Sequence, residues 1–283
     1  VPSTIDIRRR IRSVKNTQQI TKAMKMVSAA KLRRAQDRIF AARPYAAGLR
    51  EVLTSVASRI TEADHPLLQV REERKVLLLV VTSDKGLCGA FNSNAIKGAQ
   101  TAIRTHEWES VQMLPIGRKA NDFFRRRTLP LRAQALHVFQ ALSLEKAKEV
   151  AQIIIDDFVT EKIDAAYVVY NEFKSIIAQT VRLERLLPIT REEPDPNAIE
   201  YLYEPGPAEI LTELLPKHIE FQLYRVLLES AAAEQGARMT AMEAATKNAS
   251  DMINHLTLTY NRIRQAAITK EIIEIVSGAS AAS

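Results

Sequence analysis

Residues 3–40 read STIDIRRRIRSVKNTQQITKAMKMVSAAKLRRAQDRIF, and they decide the architecture. Neither glycine nor proline interrupts them. Ser3 or Thr4 ahead of Asp6 supplies a helix start. Ile7, Ile11, Val14, Ile20, Met24, Val27, Leu32, Ala35 and Ile39 then recur close to helical spacing, with Gln18 and Thr21 intruding on the stripe. Pro44 should kink this helix without ending it, because Leu49, Val52, Leu53, Val56 and Ile60 resume the pattern. At 1.5 Å per residue the helix would be roughly 80 Å long. A helix that long needs another helix beside it.

The partner lies at the other end of the chain. From Lys217 to Val276 there is one glycine, Gly236, and no proline. Met242, Ala245, Ala249, Met252, Leu256, Tyr260, Ile263 and Ala267 step by three or four, which predicts a second long helix. Pro216 predicts a kink joining a short helical piece over 208–215, and Gly278 predicts the stop. The texture between the two is different. Val76–Val81 is a continuous apolar run that reads as a buried parallel strand. The spacing further predicts a helix over 94–105, a strand over 111–116, a helix over 118–126, a helix over 144–160 and a strand over 165–170. The alternating stretch 176–187 predicts an antiparallel edge strand. Four prolines within 190–207 read as a linker. The fold class is therefore α/β with long helices. An antiparallel coiled coil of helices 1–60 and 208–283 carries an inserted Rossmann-like α/β domain at 74–200.

Charge is placed unevenly. Residues 1–38 hold eleven Lys and Arg against two Asp, a net +9, so the rest of this +7 chain sums to −2. The partner of that basic segment should be acidic. A nucleic acid is the competing partner, but the first aromatic residue is Phe40, and no aromatics interleave with the basic residues. The single cysteine, Cys88, excludes an intrachain disulfide and a multi-thiolate metal site, and points to a reducing compartment. No apolar run is long enough to span a bilayer. The five histidines lack ligand spacing, so no metal or cofactor is expected. The turn from Ser83 to Phe91 follows the first strand, where doubly wound folds bind phosphate, but it fits neither glycine-rich phosphate motif and reads as a structural turn. Asp156, Asp157 and Glu161 read as a solvated helix face.

Lys15-Asn16-Thr17-Gln18-Gln19-Ile20-Thr21-Lys22-Ala23-Met24-Lys25-Met26-Val27-Ser28-Ala29-Ala30-Lys31 closely resembles the N-terminal helix of the γ subunits of F-type ATP synthases. Residues 268–281, 83–91 and 201–205 also resemble segments of that family, in its bacterial form without the plant-type regulatory cysteine insert. The resemblance implies a non-catalytic rotor shaft held among three α and three β subunits, with ε and a membrane c-ring at its foot. It places the protein on the cytoplasmic face of the bacterial cell membrane as a peripheral subunit. It further implies that Lys22, Met24 and Lys25 meet an acidic lever of a β subunit. Arg238, Arg264, Gln265 and Thr269 would hydrogen-bond β loops, and Tyr201, Tyr203 and Glu204 would touch the c-ring. The alternative is a basic coiled-coil nucleic-acid or scaffold protein.

Overall fold

The computed structural model describes residues 3–57, 65–190 and 207–282. Helix α1 runs Thr4–Ala57 and helix α5 runs Pro207–Ala282. Between them lie β1 (Lys75–Val81), α2 (Phe91–Thr105), β2 (Ser110–Ile116), α3 (Arg118–Phe124), α4 (Leu144–Val159), β3 (Ala165–Phe173) and β4 (Gln179–Leu187). The chain divides into two compact units, Val1–Ser28 with Met239–Ser283, and Ala29–Arg238. The linker predicted over 190–207 lies almost wholly outside the described residues.

The larger unit is built on a four-stranded sheet in the order β2-β1-β3-β4. β1 pairs in parallel with β2 and β3, while β4 runs antiparallel to β3 at the edge. Six of the seven residues of β1 are buried, because the strand is covered on both faces. Leu78 and Val80 face Ala99 of α2 and Ala120 and Phe124 of α3. Leu77, Leu79 and Val81 face the other way, into a core shared with Val150, Ile154 and Phe158 of α4. Leu49 and Leu53 of α1 and Leu211, Leu215, Leu223 and Leu227 of α5 close that second core.

Two expectations about α5 need correction. Pro216 does not separate a short helical piece, since α5 is one helix through it. A mid-helix proline costs about 3 kcal/mol. Leu211, Leu215 and Ile219 stand on one face on both sides of Pro216, each almost wholly buried. Burying side chains of that size contributes about 1.5–3 kcal/mol each, which exceeds the cost. Gly278 is not a stop either, because the helix continues to Ala282. A third correction concerns α4. Asp157 is 1% exposed, and its carboxylate accepts two hydrogen bonds from Arg132, at 2.6 and 3.0 Å. It belongs to a paired, buried site and not to a solvated face.

The junction of β2 with α3 depends on one glycine. Gly117 has φ +89°, and a Cβ there would stand 2.0 Å from the carbonyl oxygen of Thr82. The Gly117 N–H donates to Ala135 O at 2.8 Å, and the Thr82 hydroxyl accepts from Ala120 N at 2.8 Å. Gly117→Ala adds backbone strain and an overlap with main chain, so we expect a loss of about 3 kcal/mol or more in urea denaturation of the full chain.

Candidate functional site: the terminal helix pair

In the smaller unit, α1 and α5 run antiparallel, with contacts whose α5 number falls as the α1 number rises. Arg8 Nη2 donates to the Tyr260 hydroxyl at 2.8 Å. Gln18 Nε2 donates to Ser250 Oγ at 2.5 Å, and the hydroxyls of Thr21 and Thr246 share a hydrogen bond of 2.7 Å. Lys25 Nζ reaches Glu243 at 2.7 Å. The residues turned inward on α1 are Ile7, Ile11, Val14, Gln18, Thr21, Lys25 and Ser28, alternating steps of four and three. On α5 they are Met242, Thr246, Ala249, Ile253, Leu256, Tyr260 and Ile263, in the same rhythm. This is the 3.5-residue repeat of a left-handed coiled coil.

That seam differs from the apolar stripe predicted from the sequence. Ile20 is 60% exposed and Val27 is exposed, while Thr21 and Ser28 are buried. On α5, Met252 is 53% exposed and Ile253 takes the inward position. Following apolar character alone drifts off a strict 3.5-residue face. That reading finds Gln18 and Thr21 on the stripe as intrusions and misses their partners, Ser250 and Thr246. Thr246 holds a position of the repeat and Ser250 sits next to one, and polarity is tolerated there because each hydroxyl or amide finds a partner.

Beyond Ile263 the seam ends. Every residue from Arg264 to Ser277 is exposed, including Ile268, Ile272, Ile273, Ile275 and Val276. An exposed isoleucine-rich helical surface marks a place for a partner. Arg264, Gln265 and Thr269 lie in this stretch, where the Thr269 hydroxyl donates to the Gln265 carbonyl at 2.9 Å. Lys22 is exposed, Met24 and Lys25 are half-buried, and all three fall within one turn of α1. The two groups are separated along the pair by about 30 Å at 1.5 Å per residue. Tyr201, Tyr203 and Glu204 lie outside the described residues.

The model of the family described as ATP synthase matches residues 3–282. An ATP synthase gamma chain from Solibacter usitatus is 54% identical over the whole of both chains. The chain belongs to the ATP synthase gamma-chain family. A second gamma chain, from Chlorobaculum tepidum, is 52% identical over 99% of each chain. Among solved structures, a chain of the central stalk and c-ring of the Tetrahymena thermophila mitochondrial ATP synthase aligns with TM-score 0.61 at 26% identity. That alignment covers 80% of this chain and 99% of the other. A rotor chain of the Euglena gracilis mitochondrial ATP synthase shares the fold, with TM-score 0.66 at 21% identity, over 94% and 98% of the two chains.

In this gamma-chain family member Arg238 belongs to the larger unit. Its guanidinium donates to Glu234 at 2.7 Å and to the Gly86 carbonyl at 3.2 Å, with both charged side chains nearly buried. Burial pushes the Glu234 carboxyl above the usual carboxylate range, and Arg238 offsets part of that rise. The same turn buries Cys88, whose thiol is raised by desolvation and accepts from Asn92 Nδ2 at 3.2 Å. A thiol so held is a poor nucleophile.

In a double-mutant cycle, Thr21→Val and Thr246→Val should show a coupling of about 1 kcal/mol in thermal unfolding. Each single variant should lose little more than that amount, because the remaining hydroxyl still donates to a backbone carbonyl, Thr21 to Gln18 O and Thr246 to Met242 O. Arg238→Met leaves Glu234 buried without its cation, raising its folded pKa further. A carboxyl whose folded pKa is raised stabilises the fold while protonated and loses that contribution as pH rises. The variant should therefore be more destabilised at pH 7 than at pH 5, by about 3 kcal/mol at pH 7 in denaturant titrations.

Proposed function

We propose that the chain is the central rotor shaft of an ATP synthase catalytic sector, transmitting torque between a proton-driven c-ring and catalytic β subunits. The observation that carries this reading is the end of α5, where every residue from Arg264 to Ser277 is exposed and isoleucines recur, in a chain of the gamma-chain family. Three α and three β subunits surround the helix pair, and ε joins the c-ring at the other end. The complex stands on the cytoplasmic face of a bacterial cell membrane.

The helix pair presents a different surface on every side. Ile20, Met26 and Val27 leave apolar ground on α1, while Arg9, Arg10, Arg12 and Lys22 leave charge. Each β subunit therefore meets a different surface at each angle of rotation. Differential contact is what biases a nucleotide site between open and closed states. Lys22, Met24 and Lys25 meet an acidic lever of β. Arg264, Gln265, Thr269 and Arg238 serve as hydrogen-bonding positions toward β loops, and Tyr201, Tyr203 and Glu204 form the c-ring foot. The shaft needs no chemistry of its own for this work. The alternative, a basic nucleic-acid or scaffold coiled coil, is favoured by no observation here.

Reconstitution with α and β subunits tests the reading. ATP hydrolysis should become dependent on this chain, and a complex equally active without it overturns the proposal. Within the assembled enzyme, Lys22→Glu should lower ATP-driven proton pumping several-fold. The melting of the free chain should barely move, since Lys22 is exposed. Lys25→Glu should also cost about 0.5 kcal/mol of chain stability through the half-exposed pair with Glu243.

A further inference from the structure

The larger unit carries a concave site that the rotor reading does not use. A shallow pocket of about 780 Å3 opens beside the C-terminal end of α2 and the segment after α3. Its apolar lining is Ile103 and Leu129, both half-buried, and its rim carries Arg104, Arg125, Arg126 and Arg127. Among the described residues none of these four guanidiniums reaches a carboxylate at ion-pair distance.

The arginines are held in place. Phe124 is fully buried and anchors the end of α3, so the three arginines that follow it leave the helix at a fixed point. Arg125 N donates to Asn121 O and Arg127 N to Phe124 O, both at 2.9 Å. The guanidinium of Arg127 stacks over the Phe123 ring at 4.1 Å. From the other side, Arg104 Nε donates to the Gln100 carbonyl at 3.3 Å. After the turn, Met113 N donates to Pro130 O at 2.8 Å and Arg132 N to Met113 O at 2.9 Å, which ties the segment to β2.

Complementing helix C-terminal dipoles accounts for Arg104 and Arg125. It does not account for Arg126 and Arg127, or for the four bordering one pocket. Four unneutralised guanidiniums close together repel, and a multivalent anion relieves that repulsion. Guanidinium forks match phosphate oxygens two at a time. We propose that this pocket binds a phosphate-bearing anion, its charge on the arginine rim and its body against Ile103 and Leu129. Two sources share that chemistry, a soluble polyphosphate compound and an anionic phospholipid headgroup.

The full-length chain decides this in two arms. Calorimetric titration with sodium tripolyphosphate tests the soluble source. Cosedimentation with phosphatidylglycerol vesicles, against phosphatidylcholine vesicles, tests the lipid source. Arg104→Gln/Arg126→Gln removes two rim charges, and Arg9→Gln/Arg10→Gln removes two exposed charges of α1 as a control. Both arginines of the pocket variant are exposed, and circular dichroism checks its fold; Arg126→Gln alone replaces it if the double variant misfolds. The expected result is saturable binding in one arm, weakened tenfold or more by the pocket variant and less than twofold by the control. Binding in the tripolyphosphate arm assigns the soluble source, and binding in the vesicle arm alone assigns the headgroup. No saturable binding in either arm, or equal loss in both variants, overturns the proposal.

Discussion

The smaller unit depends on a seam that hydrogen-bonds where most coiled coils pack aliphatic side chains. Most of a protein helix's stability comes from packing one face, so α1 and α5 gain theirs here by burying a face against each other. Around Gln18 and Thr21 that face contributes bonds worth about 1 kcal/mol each in place of large apolar burial. Such bonds hold one alignment. A slip by one heptad would set Thr21 against Ile253 or Met239 and leave a hydroxyl facing carbon. The apolar positions Ile7 and Met242 supply burial at the two ends of this polar stretch.

The larger unit solves a different problem. Its strand β1 is covered on both faces, and the turn that follows lies where doubly wound sheets often receive a phosphate. Here the polar groups of that turn are already engaged. Ser83 N donates to Asn92 Oδ1 at 2.9 Å, Asp84 Oδ1 accepts from Arg118 N at 3.1 Å, and the Gly86 carbonyl accepts from Arg238. The glycines serve the turn, with Gly89 at φ +55° and Gly117 at φ +89°.

Much of this was legible in the sequence, for physical reasons. The Val76–Val81 run reads as a strand buried on both sides, and the two glycine-poor ends read as helices that need each other. The edge character of β4 showed in its alternation. What failed to show were effects of pairing at a distance. Asp157 looks solvated until Arg132 is brought to it, twenty-five positions back along the chain. Thr21 looks like a defect until Thr246 faces it. Pro216 looks like a break until the leucines on either side are buried. The candidate contact residues Lys22 and Thr269 were legible only through family resemblance, because an exposed residue carries no pattern of its own.

The exposed end of α5 has a consequence for supply. A chain made in excess of its partners would carry five exposed branched aliphatic side chains within one short helical stretch. In water such a stretch finds its own copies, so surplus chain is a solubility liability. A cell that uses this protein therefore gains by matching its synthesis to that of its neighbours, and by covering the helix end soon after the chain folds.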